Sequence, residues 1–324
     1  MSARHVRTVA GLTLVTALAI ASLGADSRAA TSVVATSQSP MHARAFGGRV
    51  VWAELSDPGW QLKSLEAGRP VDLPIAPFKS DGALDVGPGE DGKPALLFSR
   101  CERTAEGGTT GCDVFRYDFA TRAETPVSTV NSPGAIETLP SIFGRRIAFM
   151  RRVPGRTRPA LYLAPTRGAG RAVRAARGGT LVTSVALARE GLFFVTRSQS
   201  RSGLRVETLL RVRRGRRTTL ERRRARFPFV AGHIGTPDVA RGSVFFSLTL
   251  PVGRDRARTV LVRRHLRTNR RSVARAPASV APPAGVEGIM RLGSAFLLET
   301  HSGDGNCFPS DGCTLLRATG LGWR

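Results

Sequence analysis

The chain is poor in cysteine, lysine and aromatic residues, and it lacks the short motifs that mark most catalytic centres. Its four cysteines all lie at or beyond position 101, which excludes a lipid-anchored cysteine just after an export leader. Lysine occurs only at positions 63, 79 and 93, so nearly all the positive charge is arginine. Aromatics make up 6% of the residues and only two of them are tyrosine. That scarcity argues against dedicated nucleic-acid recognition, which needs rings to stack on bases. Beyond the N-terminal segment no apolar run is long enough to cross a bilayer. G-x-S-x-G, H-E-x-x-H and phosphate-binding glycine loops are all missing. The string "GPGEDG" at 87–92 fits a dinucleotide fingerprint literally, but it contains a proline and two acids and precedes a strand-like run. It reads as a turn, and no cofactor is expected.

What is present begins with a leader. Arg4, His5 and Arg7 precede an uncharged stretch from Val9 to Ala25, and Ser27-Arg28-Ala29 places small side chains where a signal peptidase reads. Residues 1–29 are therefore expected to be a cleaved signal peptide, with an uncleaved anchor as the alternative. The product would be secreted or held in the extracytoplasmic envelope. The formal net charge is +25, unevenly spread. Ala30 to Thr138 holds 14 acids and 10 bases, whereas Leu139 to the end holds 9 acids and 36 bases.

The remaining chain repeats one plan six times. Glycines at 48, 92, 144, 191, 242 and 293 are each followed within six residues by Trp52, Phe98, Phe149, Phe194, Phe246 or Phe296. Those aromatics lie 46, 51, 45, 52 and 50 residues apart. Glycine supplies the positive φ of a tight hairpin turn, and the continuous apolar run after it suits a strand buried on both faces. A weaker apolar run precedes each glycine, and two more alternating or polar runs follow. Four short antiparallel strands per unit of about 49 residues, six times over, predict an all-β, six-bladed β-propeller. It would occupy 30–324 as one domain, with blades at about 41–78, 82–130, 137–176, 181–224, 235–277 and 286–323. The orphan run at 31–37, "TSVVATS", is expected to complete the last blade and close the ring.

Cys101 and Cys112 bracket a loop between second and third strands, as do Cys307 and Cys313. Paired strands bring such residues within disulfide reach, and an exported chain meets an oxidising environment. Two disulfides are expected; zinc is the alternative, although no Cys-x-x-Cys spacing exists and only His301 lies near. The repeat resembles that of the TolB-type propellers, with Asp91-Gly92-Lys93 before Leu96-Leu97-Phe98 and Ile147-Ala148-Phe149 before Leu161-Tyr162-Leu163. The resemblance implies a platform for proteins or ligands. The separate N-terminal α/β domain of TolB has no room here, so a role in an outer-membrane complex does not carry over.

No catalytic set is found. His42, His233, His265 and His301 fall in different blades, and Asp304 and Asp311 lack the third acid of a recognised calcium loop. The second strands are expected to exit near Glu54, Arg100, Arg151, Arg197, Thr249 and Glu299, ringing one face, called the top face here. Arg100, Arg151 and Arg197 are candidate anion-binding residues; the competing reading pairs them with Glu54 and Glu299. Two basic tracts, 211–227 and 262–276, fall on the outer strands of the fourth and fifth units. They would attract anionic wall polymers or lipid head groups, or merely protect outer strands. The first expectation is a monomeric, non-enzymatic propeller that binds a protein or small ligand on its top face. Polyanion binding through the Arg-rich rim is the second, and a hydrolase or lactonase with metal in the central channel is the third.

Overall fold

The computed structural model describes residues 29–79, 82–103, 109–156, 158–168, 173–176, 181–226, 233–252, 257–280, 285–301 and 312–324. Residues 1–28, which hold most of the expected signal peptide, lie outside the described residues, as do Asp304, Cys307 and Asp311. Among the described residues there are 24 strands and no helix. The first, β1 (Ala30–Ser37), belongs to the last blade. Blade 1 is β2 (Arg44–Phe46), β3 (Arg49–Ser56), β4 (Gly59–Glu66) and β5 (Arg69–Asp72). Blade 2 is β6 (Leu84–Pro88), β7 (Pro94–Arg103), β8 (Thr109–Asp118) and β9 (Glu124–Pro126). Blade 3 is β10 (Ile136–Phe143), β11 (Arg146–Arg152), β12 (Ala160–Pro165) and β13 (Val173–Ala176). Blade 4 is β14 (Leu181–Ala188), β15 (Gly191–Gln199), β16 (Leu204–Arg213) and β17 (Arg216–Arg226). Blade 5 is β18 (Asp238–Ala240), β19 (Ser243–Pro251), β20 (Ala257–His265) and β21 (Arg271–Arg275). Blade 6 is β22 (Gly285–Leu292), β23 (Ala295–His301), β24 (Cys313–Thr319) and then β1.

Every blade is an antiparallel four-stranded sheet, and the first strands touch in a closed cycle, β2–β6–β10–β14–β18–β22–β2. This is a six-bladed β-propeller. The second strands run one to three residues past the expected exits, ending at Ser56, Arg103, Arg152, Gln199, Pro251 and His301. Five of the six end on polar residues, and β19 ends on Leu250-Pro251, so no common apolar pattern marks the true ends. In blade 1 both turn residues, Gly47 (φ 58°) and Gly48 (φ 83°), are left-handed. That is the hairpin turn whose twist matches the strands it joins.

The second strand of each blade carries the packing. In β3, Val51 and Ala53 pack against blade 2, whereas Val50 and Trp52 pack against blade 6. In β7, Leu96 and Phe98 face blade 1 while Ala95 and Leu97 face blade 3. Six separate apolar clusters result, one at each interface between neighbouring blades. Each full burial of such a side chain contributes about 1.5–3 kcal/mol.

Polar clamps join the blades as well. The Glu299 carboxylate, only 5% exposed, accepts from the backbone N–H groups of Met41 (3.2 Å), His42 (2.8 Å) and Ala43 (3.2 Å). It therefore ties blade 6 to the start of blade 1. β1 pairs with β24 from Ala30↔Thr319 to Ser37↔Cys313 and supplies the outermost strand of blade 6. Cys101 and Cys112 are bonded to each other at a register shift between β7 and β8. Cys313 is also disulfide-bonded. Replacing Glu299 with Ala leaves three buried donors without an acceptor and is expected to cost about 3 kcal/mol, read as a lower midpoint in guanidinium unfolding. Cys101→Ser with Cys112→Ser should cost roughly 3 kcal/mol by restoring loop entropy to the unfolded chain.

Candidate functional site

The top face holds the second-to-third strand loops and the lead-ins to the first strands. The three candidate arginines lie at its edge, each held by a carboxylate of its own blade. Arg100 Nη2 lies 2.9 Å from Glu124, with its guanidinium over the rings of Phe115 and Phe98. Arg151 Nε lies 2.8 Å from Glu137, with its guanidinium over Phe149 and Tyr162. Arg197 Nε lies 2.8 Å from Glu207. Neither Glu54 nor Glu299 is the partner: Glu54 takes Lys63 (3.7 Å), and Glu299 takes backbone. Arg100 and Arg151 share no partner with Arg197.

Arg197 instead enters a cluster where blades 4, 5 and 6 meet. Arg205 Nη2 lies 2.7 Å from the same Glu207 oxygen, and Glu207 also accepts from the Ile234 N–H (2.7 Å). His233, in the lead-in to blade 5, directs Nδ1 at Glu207 (3.2 Å) and Nε2 at Glu287 of β22 (2.9 Å). His301, at the end of β23, brings Nε2 to 3.4 Å from the other Glu287 oxygen. A Cβ on Gly285 would lie 2.3 Å from His301 Nε2, so glycine is what lets the imidazole approach the strand. Two of the four candidate histidines are thus gathered on one carboxylate, whereas His42 lies near Trp60 and His265 contacts Thr268.

Electrostatics follow from this geometry. Burial disfavours the imidazolium of His233, but Glu287 and Glu207 outweigh it and hold the pKa up at about 9. Burial likewise disfavours the Glu207 carboxylate, yet His233, the Ile234 N–H and Arg205 bring it down to about 2. Glu287 is lowered by His233 and His301 against burial. At neutral pH Arg197, Arg205 and His233⁺ oppose two carboxylates, leaving this junction with an excess of positive charge. The buried Nδ1 of His301 has no hydrogen-bond partner. Among the described residues no three His, Cys, Asp or Glu side chains are arranged to hold a metal ion.

The central channel is the second polar site. Arg44, Asp85, Ser141, Ala186, Asp238 and Met290, one from each first strand, line a cavity of about 70 Å³, room for a few water molecules. Asp85 accepts from Ser141 Oγ (2.7 Å) and the Ile142 N–H (2.9 Å) of blade 3. Asp238 accepts from the Arg291 N–H (2.8 Å) of blade 6. Burial raises both carboxyls. For Asp238, backbone N–H groups oppose the rise and Asp85 adds to it, and the pKa reaches about 6.

The sequence matches no family model and no curated protein. Solved propellers share the architecture at low identity. A glucose dehydrogenase superposes with a TM-score of 0.55 at 13% identity, over 90% of this chain and 99% of that one. The soluble aldose sugar dehydrogenase of Escherichia coli gives 0.53 at 10% identity, over 90% and 99%. TolB from Acinetobacter baumannii gives 0.47 at 14% identity, over 86% of this chain and 66% of that chain. The six closed blades define the class, a six-bladed propeller, and the two dehydrogenase superpositions share that fold. The TolB resemblance is distant.

The shifts set two windows of pH dependence. The raised His233 contributes stability that is whole below about 6.5 and is lost as pH climbs through about 9. His233→Gln should flatten unfolding free energy across that window. The raised Asp238 acts in the same direction in a lower window, adding stability as pH falls from about 6 towards 4. Asp238→Asn should abolish that gain, as read by chemical denaturation at stepped pH.

Proposed function

We propose that this chain is an exported, extracytoplasmic propeller that serves as a binding platform and docks a protein partner on its top face. The observation that carries this reading is the placement of exposed apolar side chains. Among the described residues six large ones are exposed, and four of them sit at top-face strand ends. These are Leu55 of blade 1, Val153 of blade 3, Leu181 of blade 4 and Val252 of blade 5, 38–57% exposed. The other two, Val33 and Val71, lie on outer strands. Apolar contacts set among fixed charges are the composition of a protein-docking surface, where aliphatic area supplies affinity and charge supplies orientation.

The same face carries the Cys101–Cys112 bridge, which ties the top-face ends of β7 and β8 together and suits an oxidising compartment. The cluster around Glu207 and Glu287 holds the lead-in to blade 5 between β16 and β22. A surface held rigid in this way pays little ordering entropy when a partner docks.

A photo-crosslinking amino acid placed at Leu55 or Leu181 in the producing cells should give the same discrete adduct, and Leu181→Asp should suppress the adduct formed from position 55. A crosslinker at Val71 should give none. Equal adducts from all three positions, or an adduct insensitive to Leu181→Asp, would overturn the reading.

A further inference from the structure

The outer strands of blades 4 and 5 face each other across a cleft, and the side chains in it follow from strand alternation. Val260 and Val262 of β20 pack with Leu209 and Leu220 of blade 4, and Val273 of β21 packs with them. Arg271 and Arg275 lie two residues to either side of Val273 and so share its face towards blade 4, as does Arg264, paired with Arg271. From the other wall, Glu221 and Arg223 of β17 stand opposite Leu209 and Glu207. Glu221 meets Arg223 Nη2 at 2.7 Å, Arg271 Nε at 3.7 Å and Arg264 Nη1 at 3.9 Å. Arg264 also donates to the Leu220 carbonyl, which fixes the two walls together.

Three guanidinium groups therefore surround one carboxylate. Glu221 neutralises one positive charge and leaves the rest. Arg223 Nε is buried without a hydrogen-bond partner, and Arg275 is exposed with no ion pair among the described residues. Exposed Arg267 and Arg270 beside β21 add to the positive surface, whereas exposed Arg222 and Arg224 alternate to the other face of β17.

We propose that this cleft is a binding site for a phosphodiester-linked polymer, recognised through its backbone alone. Guanidinium groups match phosphate oxygens bidentately and are more weakly hydrated than lysine ammonium groups. Same-face residues on a strand lie about 6.6–6.8 Å apart, so Arg271 and Arg275, two such steps apart on β21, stand about 13 Å from each other and can hold two separated phosphates of an extended chain. No Phe, Tyr or Trp occurs on β17, β20 or β21, and the one ring, His265 at the end of β20, is hydrogen-bonded to Thr268, so the site offers little on which to stack a base. A bilayer surface fits less well. Among the described residues the exposed large apolar side chains on outer strands are Val33 and Val71, in blades 6 and 1, so the cleft has no apolar anchor beside it. This surface is separate from the top face and does not depend on the reading given for it.

The test uses the whole mature chain and three probes: a poly(glycerol phosphate) oligomer, an abasic oligodeoxynucleotide and phosphatidylglycerol vesicles. Fluorescence anisotropy from about 50 to 200 mM salt should show both polymers binding alike, with log K falling steeply against log salt. Arg271→Ala and Arg275→Ala should each weaken binding and reduce that slope by about one. Glu221→Gln removes the competing carboxylate and should tighten binding several-fold. A purely structural Glu221 would instead lower the melting temperature and leave affinity unchanged. Unaltered affinity in the arginine variants, no tightening in Glu221→Gln, or binding to vesicles but not to polymers would each overturn the proposal.

Discussion

Two-sided burial of the second strand is the constraint on which the rest of the molecule depends. A strand that packs on both neighbours cannot alternate apolar and polar residues, so each blade needs an unbroken apolar run at its middle. Six such runs make six interfaces, and each interface holds one cluster. Polar side chains are pushed to the strand ends and the outer strands, and those are the places where both candidate surfaces lie.

The carboxylates show how acids are used in a basic chain. Beyond Leu139 there are nine acids against 36 bases, and those in strands serve as junctions. Glu299 ties blade 6 to blade 1, Glu207 ties blade 4 to the lead-in of blade 5, Asp238 ties blade 5 to blade 6, and Glu221 gathers arginines from two rims. In each case one anion receives several donors, which offsets the cost of burying it. The arginines left over face outward.

The architecture was legible because its determinants are local: a glycine turn and the apolar run after it recur at a nearly constant spacing. Closure was legible from the orphan run at Thr31 to Ser37, an apolar pattern otherwise without a blade. The junction of blades 4, 5 and 6 was not. Glu207, His233 and Glu287 are separated by 26 and 54 residues, and His233 lies in a lead-in where no periodicity assigns a direction. The signal that was present is rarity: an acid within a strand of a segment so rich in arginine calls for a specific partner. The partners of Arg100, Arg151 and Arg197 were misassigned for a related reason. Pairing was expected between blades, but the register places Glu124, Glu137 and Glu207 in the same blades as the arginines they meet.

The joint between β1 and β24 has a consequence for biogenesis. Residues 30–37 must wait for residues 313–319 before they can pair, so the ring cannot close until the segment through residue 319 has been made. Until β1 docks, β24 has a free edge, a template for unwanted strand addition. Closure thus depends on a contact of very high sequence separation, of the kind that forms slowly however quickly the individual hairpins form.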